Sequence, residues 1–261
     1  MTTLAYTSND SLTMLRRNLL HARRYPAMVF SIIIMPILLL LIFNYFFGHA
    51  LNAGVGDGHG GEYINYLAPG MLLMIPAWMV ASTAVGVATD LTKGIVNRLR
   101  TLAISQTSIL TGHVVGSLIQ AMLGVGCMVG VAFAVGFRPN ADAVEWLAVL
   151  GLLALLSFAL IWLAVGFGAS ASTPESASNA PTPLIMLPFL GSGFVPTDSM
   201  PTGVRQFAEY QPFTPITETV RGLLMGSHIG NNGVIAVAWC VGLAVLGYLW
   251  ARSSFRRRAA A

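Results

Sequence analysis

Few side chains in this sequence have the types and spacing that catalysis requires. A nucleophilic serine needs a histidine within hydrogen-bonding distance to take up its proton. Ser170 ends one long apolar run and His228 precedes another, and the membrane crossings described below put the two on opposite sides. Serine catalysis is therefore not expected, and no other enzymatic activity is expected in this chain.

Metal and nucleotide binding are also not expected. The candidate metal ligands His49, Asp57, His59 and Glu62 lie in a glycine-rich stretch that would not hold them rigidly together. A phosphate-binding loop has the pattern G-x-x-x-x-G-K-[ST]. The single lysine, Lys93, is followed by glycine and lacks the glycine-rich approach. ATP hydrolysis and bound cofactors are therefore not expected here.

The composition is that of a membrane protein. Hydrophobic residues make up 55% of the 261 residues, charged residues make up 9%, and the mean hydropathy is +0.71. Soluble domains carry roughly a quarter charged residues, so this chain has too few polar side chains to cover a globule of its size. We expect an integral membrane protein.

Six apolar runs are long enough to cross a bilayer. A membrane-spanning helix needs about 20 residues, and a helix satisfies its backbone hydrogen bonds without water. The sequence therefore predicts an all-α, polytopic membrane protein with six transmembrane helices. The fifth is expected to be kinked or loosely ended at Pro181, Pro183 and Pro188. The predicted spans are 26–47, 66–89, 112–137, 144–167, 178–195 and 233–251.

The distribution of basic residues predicts the orientation. Four lie before the first span, three between spans two and three and four after span six, which together are 11 of the 14 lysines and arginines. With six spans these three segments share one side, and cytoplasmic segments carry the excess of lysine and arginine. Both termini are therefore expected in the cytoplasm.

Residues 8–25 are predicted to form an amphipathic interfacial helix. Polar residues at its start can cap it, and Leu12, Leu15 and Leu19 share one face while arginines occupy the others. Such a helix lies on the membrane with its apolar face in the lipid. The alternative is a basic flank whose charges only set the orientation.

Residues 90–110 connect spans two and three, and their pattern leaves two interpretations open. Asp90 can begin a short cytosolic helix in which Ile95, Leu99 and Leu102 share one face and the basic residues project elsewhere. A solvated loop that only sets the orientation fits the pattern equally well.

Residues 196–226, between spans five and six, are too numerous and too apolar for a structureless loop. We predict two short helices, one over residues 204–210 and one that Thr214 caps. Glu218 and Arg221 can form an ion pair because they are three residues apart. The element is expected to be extracytoplasmic and re-entrant, dipping into the outer leaflet against other parts of the protein.

Two stretches of this sequence point to a known family. One is the cytosolic KGIVNRLRTLAIS, and the other is SGFVPTDSMPTGVRQFAEYQPFTPITETVRGLLMG before the last span, with Pro212-Phe213-Thr214-Pro215 and Arg221-Gly222 as its most specific parts. With the six spans and the basic first helix, the chain resembles ABC type-2 permeases over nearly its whole length, most closely the daunorubicin-resistance efflux group. It departs from many relatives at Leu102-Ala103-Ile104, where they carry a proline.

The resemblance implies several site residues. Residues 90–110 would be a coupling segment seated on a separate ATPase subunit. The implied ATPase contacts are Lys93, Ile95, Arg98, Leu99, Arg100 and Leu102. The implied exit element contains Phe194, Pro212, Pro215, Glu218 and Arg221. Gln120 is a candidate for the substrate path, since polar groups at membrane depth tend to face a partner or a pathway.

The resemblance also implies the assembly and its cargo. Two permease copies, identical or different, would work with two ATPase subunits that bind ATP and Mg, in contact with membrane lipid and without nucleic acid. The complex would move an amphiphilic drug or antibiotic from the cytoplasm or inner leaflet across the plasma membrane. Export of a lipid or glycopolymer stays open. An ATP-independent channel or secondary carrier is the alternative of another class, but such carriers usually need ionisable residues inside their spans.

Overall fold

The computed structural model describes residues 26–48, 63–92 and 106–260, and side chains within 33–48, 63–92 and 111–257. Among these residues all regular secondary structure is helical. Helix α1 (Pro26–Ile42) continues into a π-helical turn, Phe43–Phe47. The following helices are α2 (Tyr63–Thr92), α3 (Gln106–Val135), α4 (Ala143–Ser170), α5 (Pro174–Asn179), α6 (Thr182–Met186), α7 (Thr202–Tyr210), α8 (Phe213–Met225) and α9 (Asn232–Ala260), with 3-10 turns at Leu187–Leu190 and Thr197–Ser199.

Four of these helices are long and apolar enough to cross a membrane. They are Tyr63–Thr92, Thr111–Val135, Ala143–Ser170 and Asn232–Arg257, which coincide with predicted spans two, three, four and six. Helix α1 and its π-helical turn cover the predicted first span, of which Ile33–Phe47 is a shorter apolar helix. The helical fold is therefore confirmed over the described residues, while the total of six crossings stays a prediction.

The predicted fifth span is not one continuous helix. Its place is taken by α5, α6 and the 3-10 turn Leu187–Leu190. A proline lies at one of the first two positions in each of these three pieces. Proline is tolerated there but cannot donate the hydrogen bond that would continue a preceding helix. The hydrophobic length of residues 178–195 is that of a span, but the breaks at Pro183 and Pro188 divide it.

Helix α2 lies at the centre of the described structure and packs against α1, α3, α4, α5 and α8. Its residues 63–77 are all buried, so the helix is covered on every side over that length. By contrast, only 28% of the spanning window of α3 and 22% of that of α9 are buried, against 72% for α2. The outer faces of α3 and α9 are therefore the apolar surfaces that a bilayer would cover.

Two predictions concern residues at the edges of the described ranges. The interfacial helix at residues 8–25 lies outside the described residues, and so do the coupling residues between Lys93 and Leu102. The sequence predicts that Asp90 begins a helix, but this residue lies in the last turn of α2, which continues to Thr92. The prediction was wrong because Asp90 is held inside the protein by His113, a contact that the sequence spacing does not show.

Candidate functional site

The element between the broken fifth segment and the last span contains two short helices, as the sequence predicted. Helix α7 covers residues 202–210 and α8 covers residues 213–225. Gly226 ends α8 in the left-handed conformation, with φ 70°, where glycine is favoured because it lacks a side chain. The predicted cap was wrong, since Thr214 lies inside the first turn of α8. Instead, the Gln211 side-chain oxygen accepts a hydrogen bond from the Phe213 amide at 3.1 Å.

Arg221 of α8 is the most completely buried cation in the described part of the chain, with 1% of its surface exposed. Its Nη2 donates to the carbonyl oxygens of Ser192 at 2.8 Å and Tyr66 at 3.1 Å, and its Nε also donates to Tyr66 at 3.3 Å. Its Nη1 donates to Glu218 Oε1 at 2.5 Å, which confirms the predicted ion pair. The guanidinium also lies 3.7 Å from the centre of the Tyr66 ring. One side chain therefore links α8, α2 and the loop at residues 191–194.

Two tyrosine hydroxyls of α2 bind the same loop. Tyr66 donates to the Ser192 carbonyl oxygen at 2.8 Å, and Tyr63 donates to the Phe194 carbonyl oxygen at 3.0 Å. The Phe194 ring is 6% exposed and stacks on Phe189 at 5.2 Å. We call this group the Arg221 clasp. It comprises Tyr63, Tyr66, Ser192, Phe194, Glu218 and Arg221.

The clasp does not contain a catalytic arrangement. Its acceptors are mainly backbone carbonyl oxygens, and its donors are a guanidinium and two hydroxyls. A guanidinium stays protonated in proteins and offers five donors in a fixed plane. Such a group is suited to hold several irregular backbone segments together where water is scarce, because each unpaired carbonyl there would be costly.

Close backbone contact brings the loop onto α2. A Cβ atom added at Gly70 would lie 2.6 Å from both the Cα and the carbonyl oxygen of Gly193. Such distances do not occur in proteins, and neither partner is a flexible side chain that could move away. The two glycines therefore allow the loop to approach α2 closely enough for the tyrosine hydroxyls to reach its carbonyl oxygens.

Gly70→Ala is expected to destabilise the protein by about 1–3 kcal/mol, because overpacking forces the backbone to shift. The measurement is the thermal unfolding temperature of the purified protein in detergent. Gly151→Ala is the matched control, since Gly151 lies in another membrane helix and nothing is within 4 Å of a Cβ built there. Equal unfolding temperatures for the two variants would show that the loop can move away from α2 at no cost.

Other predicted site residues lie in different places. Pro212 and Pro215 are at the start of α8, where the Pro215 carbonyl oxygen accepts a hydrogen bond from Thr219 Oγ1 at 2.6 Å. Gln120 is half-buried near the middle of α3 and is not part of the clasp. The structure therefore brings together Phe194, Glu218 and Arg221 from the predicted exit element.

Sequence reasoning missed Tyr63, Tyr66 and Ser192. Tyrosine is common near the ends of membrane helices, so the first two could have been noted. Their partners could not have been noted, because every residue has a backbone carbonyl oxygen and the sequence does not show which of them accepts a hydrogen bond.

A second arginine of this element makes exposed ion pairs instead. Arg205 of α7 contacts Asp198 at 2.7 Å and Glu209 at 2.6 Å, and its side chain is 43% exposed. The hydrogen bond that it donates to Glu209 and the charge of Asp198 raise the pKa of Arg205 above its usual value. Since solvent screens such pairs, they contribute little to stability.

Comparison with known proteins relates the whole arrangement to one group. A family model described as ABC-2 type transporter matches residues 10–225. The chain is 26% identical over 235 residues to the daunorubicin resistance ABC transporter permease protein of Streptomyces coeruleorubidus, covering 89% of this chain and 78% of that one. It is 25% identical over 244 residues to the probable doxorubicin resistance ABC transporter permease protein of Mycobacterium tuberculosis strain CDC 1551, covering 90% and 84%.

Proposed function

Because the chain belongs to the ABC-2 type transporter family, we propose that it is the membrane-spanning permease subunit of an ATP-driven exporter of amphiphilic drugs or antibiotics. The observation that carries this proposal is the family match over residues 10–225, together with near full-length similarity to permeases named for daunorubicin and doxorubicin resistance. The cargo leaves the cytoplasm or the inner leaflet and crosses the plasma membrane.

The character of the spans supports an amphiphilic cargo. The described part of α3 contains no aspartate, glutamate, lysine or arginine, and the spanning part of α9 contains only basic residues near its end. The histidine of α3, His113, lies near the start of its span and contacts Asp90. Coupling to an ion gradient usually requires ionisable groups deeper within the membrane. A pathway between such helices suits a molecule with large apolar surface, and Gln120 offers a hydrogen-bonding group at the middle of α3.

The energy comes from a separate ATPase subunit, present in two copies, which holds ATP and Mg. We assign its contact with each permease copy to residues 93–102. Ile95, Leu99 and Leu102 enter the interface, and the three basic residues face polar or acidic groups at its edge. A second permease copy completes the pathway, with both termini of each copy in the cytoplasm.

The Arg221 clasp serves this function as a fixed point at the outer end of the permease. Helices α7 and α8 lie between the broken fifth segment and the last span, and the clasp joins them to the buried start of α2. Segments broken by prolines bend more readily than continuous helices. The clasp holds one end of the broken fifth segment in place. When this segment bends, its other end is therefore the one that moves.

A test in cells is drug resistance. Co-expression of this chain with its ATPase in a sensitive host is expected to raise the daunorubicin concentration that stops growth. Neither subunit alone, nor the pair with the ATPase phosphate-loop lysine replaced, is expected to do so. Protection without the ATPase would point to an ATP-independent carrier, and the proposal would fail.

The orientation has its own test. Reporter fusions after Arg258 and at Ser105 are expected to behave as cytoplasmic, and fusions at Gly58 and Ser227 as external, because 11 of the 14 lysines and arginines lie on one predicted side. Alkaline phosphatase and a fluorescent protein report the two sides. An external signal at Ser105 would remove residues 93–102 from any contact with a cytosolic ATPase.

A further inference from the structure

A buried hydrogen bond between a carboxylate and an imidazole joins the two helices from which residues 93–105 emerge. Nε2 of His113 lies 3.0 Å from Oδ2 of Asp90, and the two side chains are only 11% and 13% exposed. Asp90 is in the last turn of α2, and His113 is about two turns into α3. The pair therefore bridges the base of the helical hairpin next to the segment assigned to the ATPase.

A second polar contact joins the same two helices further from their connected ends. Thr83 Oγ1 donates to Ser117 Oγ at 3.0 Å, and both residues are buried. Thr83 lies about two turns above Asp90 and Ser117 about one turn above His113, as expected for antiparallel helices. Two directional polar contacts therefore lie in the interface between α2 and α3.

The surrounding contacts are of a different kind. At this end Val87, Val114, Ile161, Val165, Ala251 and Phe255 form an apolar cluster that joins α2, α3, α4 and α9. Apolar contacts are non-directional, so such a cluster resists separation of helices better than it resists sliding. A hydrogen bond to a carboxylate is short and directional, and it holds two helices in one register.

We propose that the Asp90–His113 pair is a positioning device that makes α2 and α3 move as one body when the ATPase acts on residues 93–105. This inference rests on the proposed function, because it concerns how motion that enters through the coupling segment reaches the spans. Both helices receive the motion, since the segment is attached to each. Without the pair, α3 slides along α2 and part of the motion is lost before it reaches the pathway.

The test measures the drug molecules transported per ATP hydrolysed, in vesicles that contain the permease purified together with its ATPase. The hydrolysis counted is only the part that the drug stimulates, and equal amounts of co-purified complex are compared, so ATPase that acts beside misfolded permease does not enter the ratio. The variants are Asp90→Ala, His113→Ala, both together, and the exchange Asp90→His with His113→Asp. Gly86→Ala is the control, because a Cβ there would make ordinary contact with His113 Cε1 at 3.9 Å.

Each single alanine variant is expected to lower the ratio about fivefold or more, the lower end of typical coupling between sites. The double alanine variant should lose no more than one single variant, and the exchange should restore most of the ratio. Gly86→Ala should match the wild type. Unchanged ratios in the single variants, multiplied losses in the double variant, or an exchange as poor as the single variants would each overturn the proposal. A wild-type complex that transports no drug would instead contradict the proposed function.

Discussion

Arg221→Ala is expected to abolish export, because it removes the centre of the clasp. The change leaves the carbonyl oxygens of Tyr66 and Ser192 without their arginine donor and takes the ion partner from Glu218. Leaving a buried acceptor without its donor costs about 1–3 kcal/mol, and Arg221 supplies two backbone acceptors at once. The measurement is ATP-driven daunorubicin uptake into inside-out vesicles, normalised to the amount of folded permease.

Binding of the ATPase should survive this change. Tyr66 and Thr92 are 26 residues apart on α2, which corresponds to roughly 40 Å along the helix. The matched control is Arg205→Ala on the neighbouring helix, which removes two exposed ion pairs and should leave export unchanged. Arg221→Lys should rescue only in part, since an ammonium group cannot reproduce the planar fork that contacts three acceptors. If the Arg205 and Arg221 variants export equally well, the clasp is not needed for transport.

Leu99→Asp is expected to uncouple the permease from its ATPase. In the proposed interface, Leu99 belongs to the apolar face that loses its water on docking. An unpaired charge buried at an interface costs about 2–5 kcal/mol, which weakens association about thirtyfold or more. The permease itself should insert as before, because no predicted span is changed. Co-purification of the ATPase measures the loss.

Arg98→Ala is the matched control for Leu99→Asp, because it changes a neighbouring residue that we place at the edge of the interface. Exposed ion pairs contribute about 0–1 kcal/mol, so this variant should retain most of its ATPase. A Leu99→Asp permease that binds its ATPase and exports like the wild type would show that residues 93–102 only set the orientation.

The sequence predicted the helices that can be recognised from the length of an apolar run or from residues that end helices. Hydrophobic length located α2, α3, α4 and α9, since burial in lipid or protein requires about 20 apolar residues in each. Glycine located the end of α8 at Gly226, and the three-residue spacing of Glu218 and Arg221 predicted their ion pair. Each of these signals lies within one continuous stretch of the chain, so it can be recognised in a sequence.

The sequence did not show features that depend on contact between distant segments. Residues 178–195 have the length of a span, but prolines divide them into pieces that settle against α2. The sequence suggests that Asp90 is a helix cap. In the structure its carboxylate contacts His113, which lies 23 residues later in the chain. The clasp joins Tyr66 to Ser192 across 126 residues through a backbone oxygen. Spacing along the chain carries no information about such partners.

We expect this permease to export an amphiphilic drug with energy from a partner ATPase. The most direct measurement is daunorubicin accumulation in vesicles reconstituted with both purified subunits, with the ATPase facing outwards. We expect accumulation that starts on addition of ATP and Mg, stops with a non-hydrolysable analogue, and is absent when the permease carries Arg221→Ala. Accumulation that is equal with and without ATP, or absent while the same vesicles translocate a lipid-linked polymer, would contradict it.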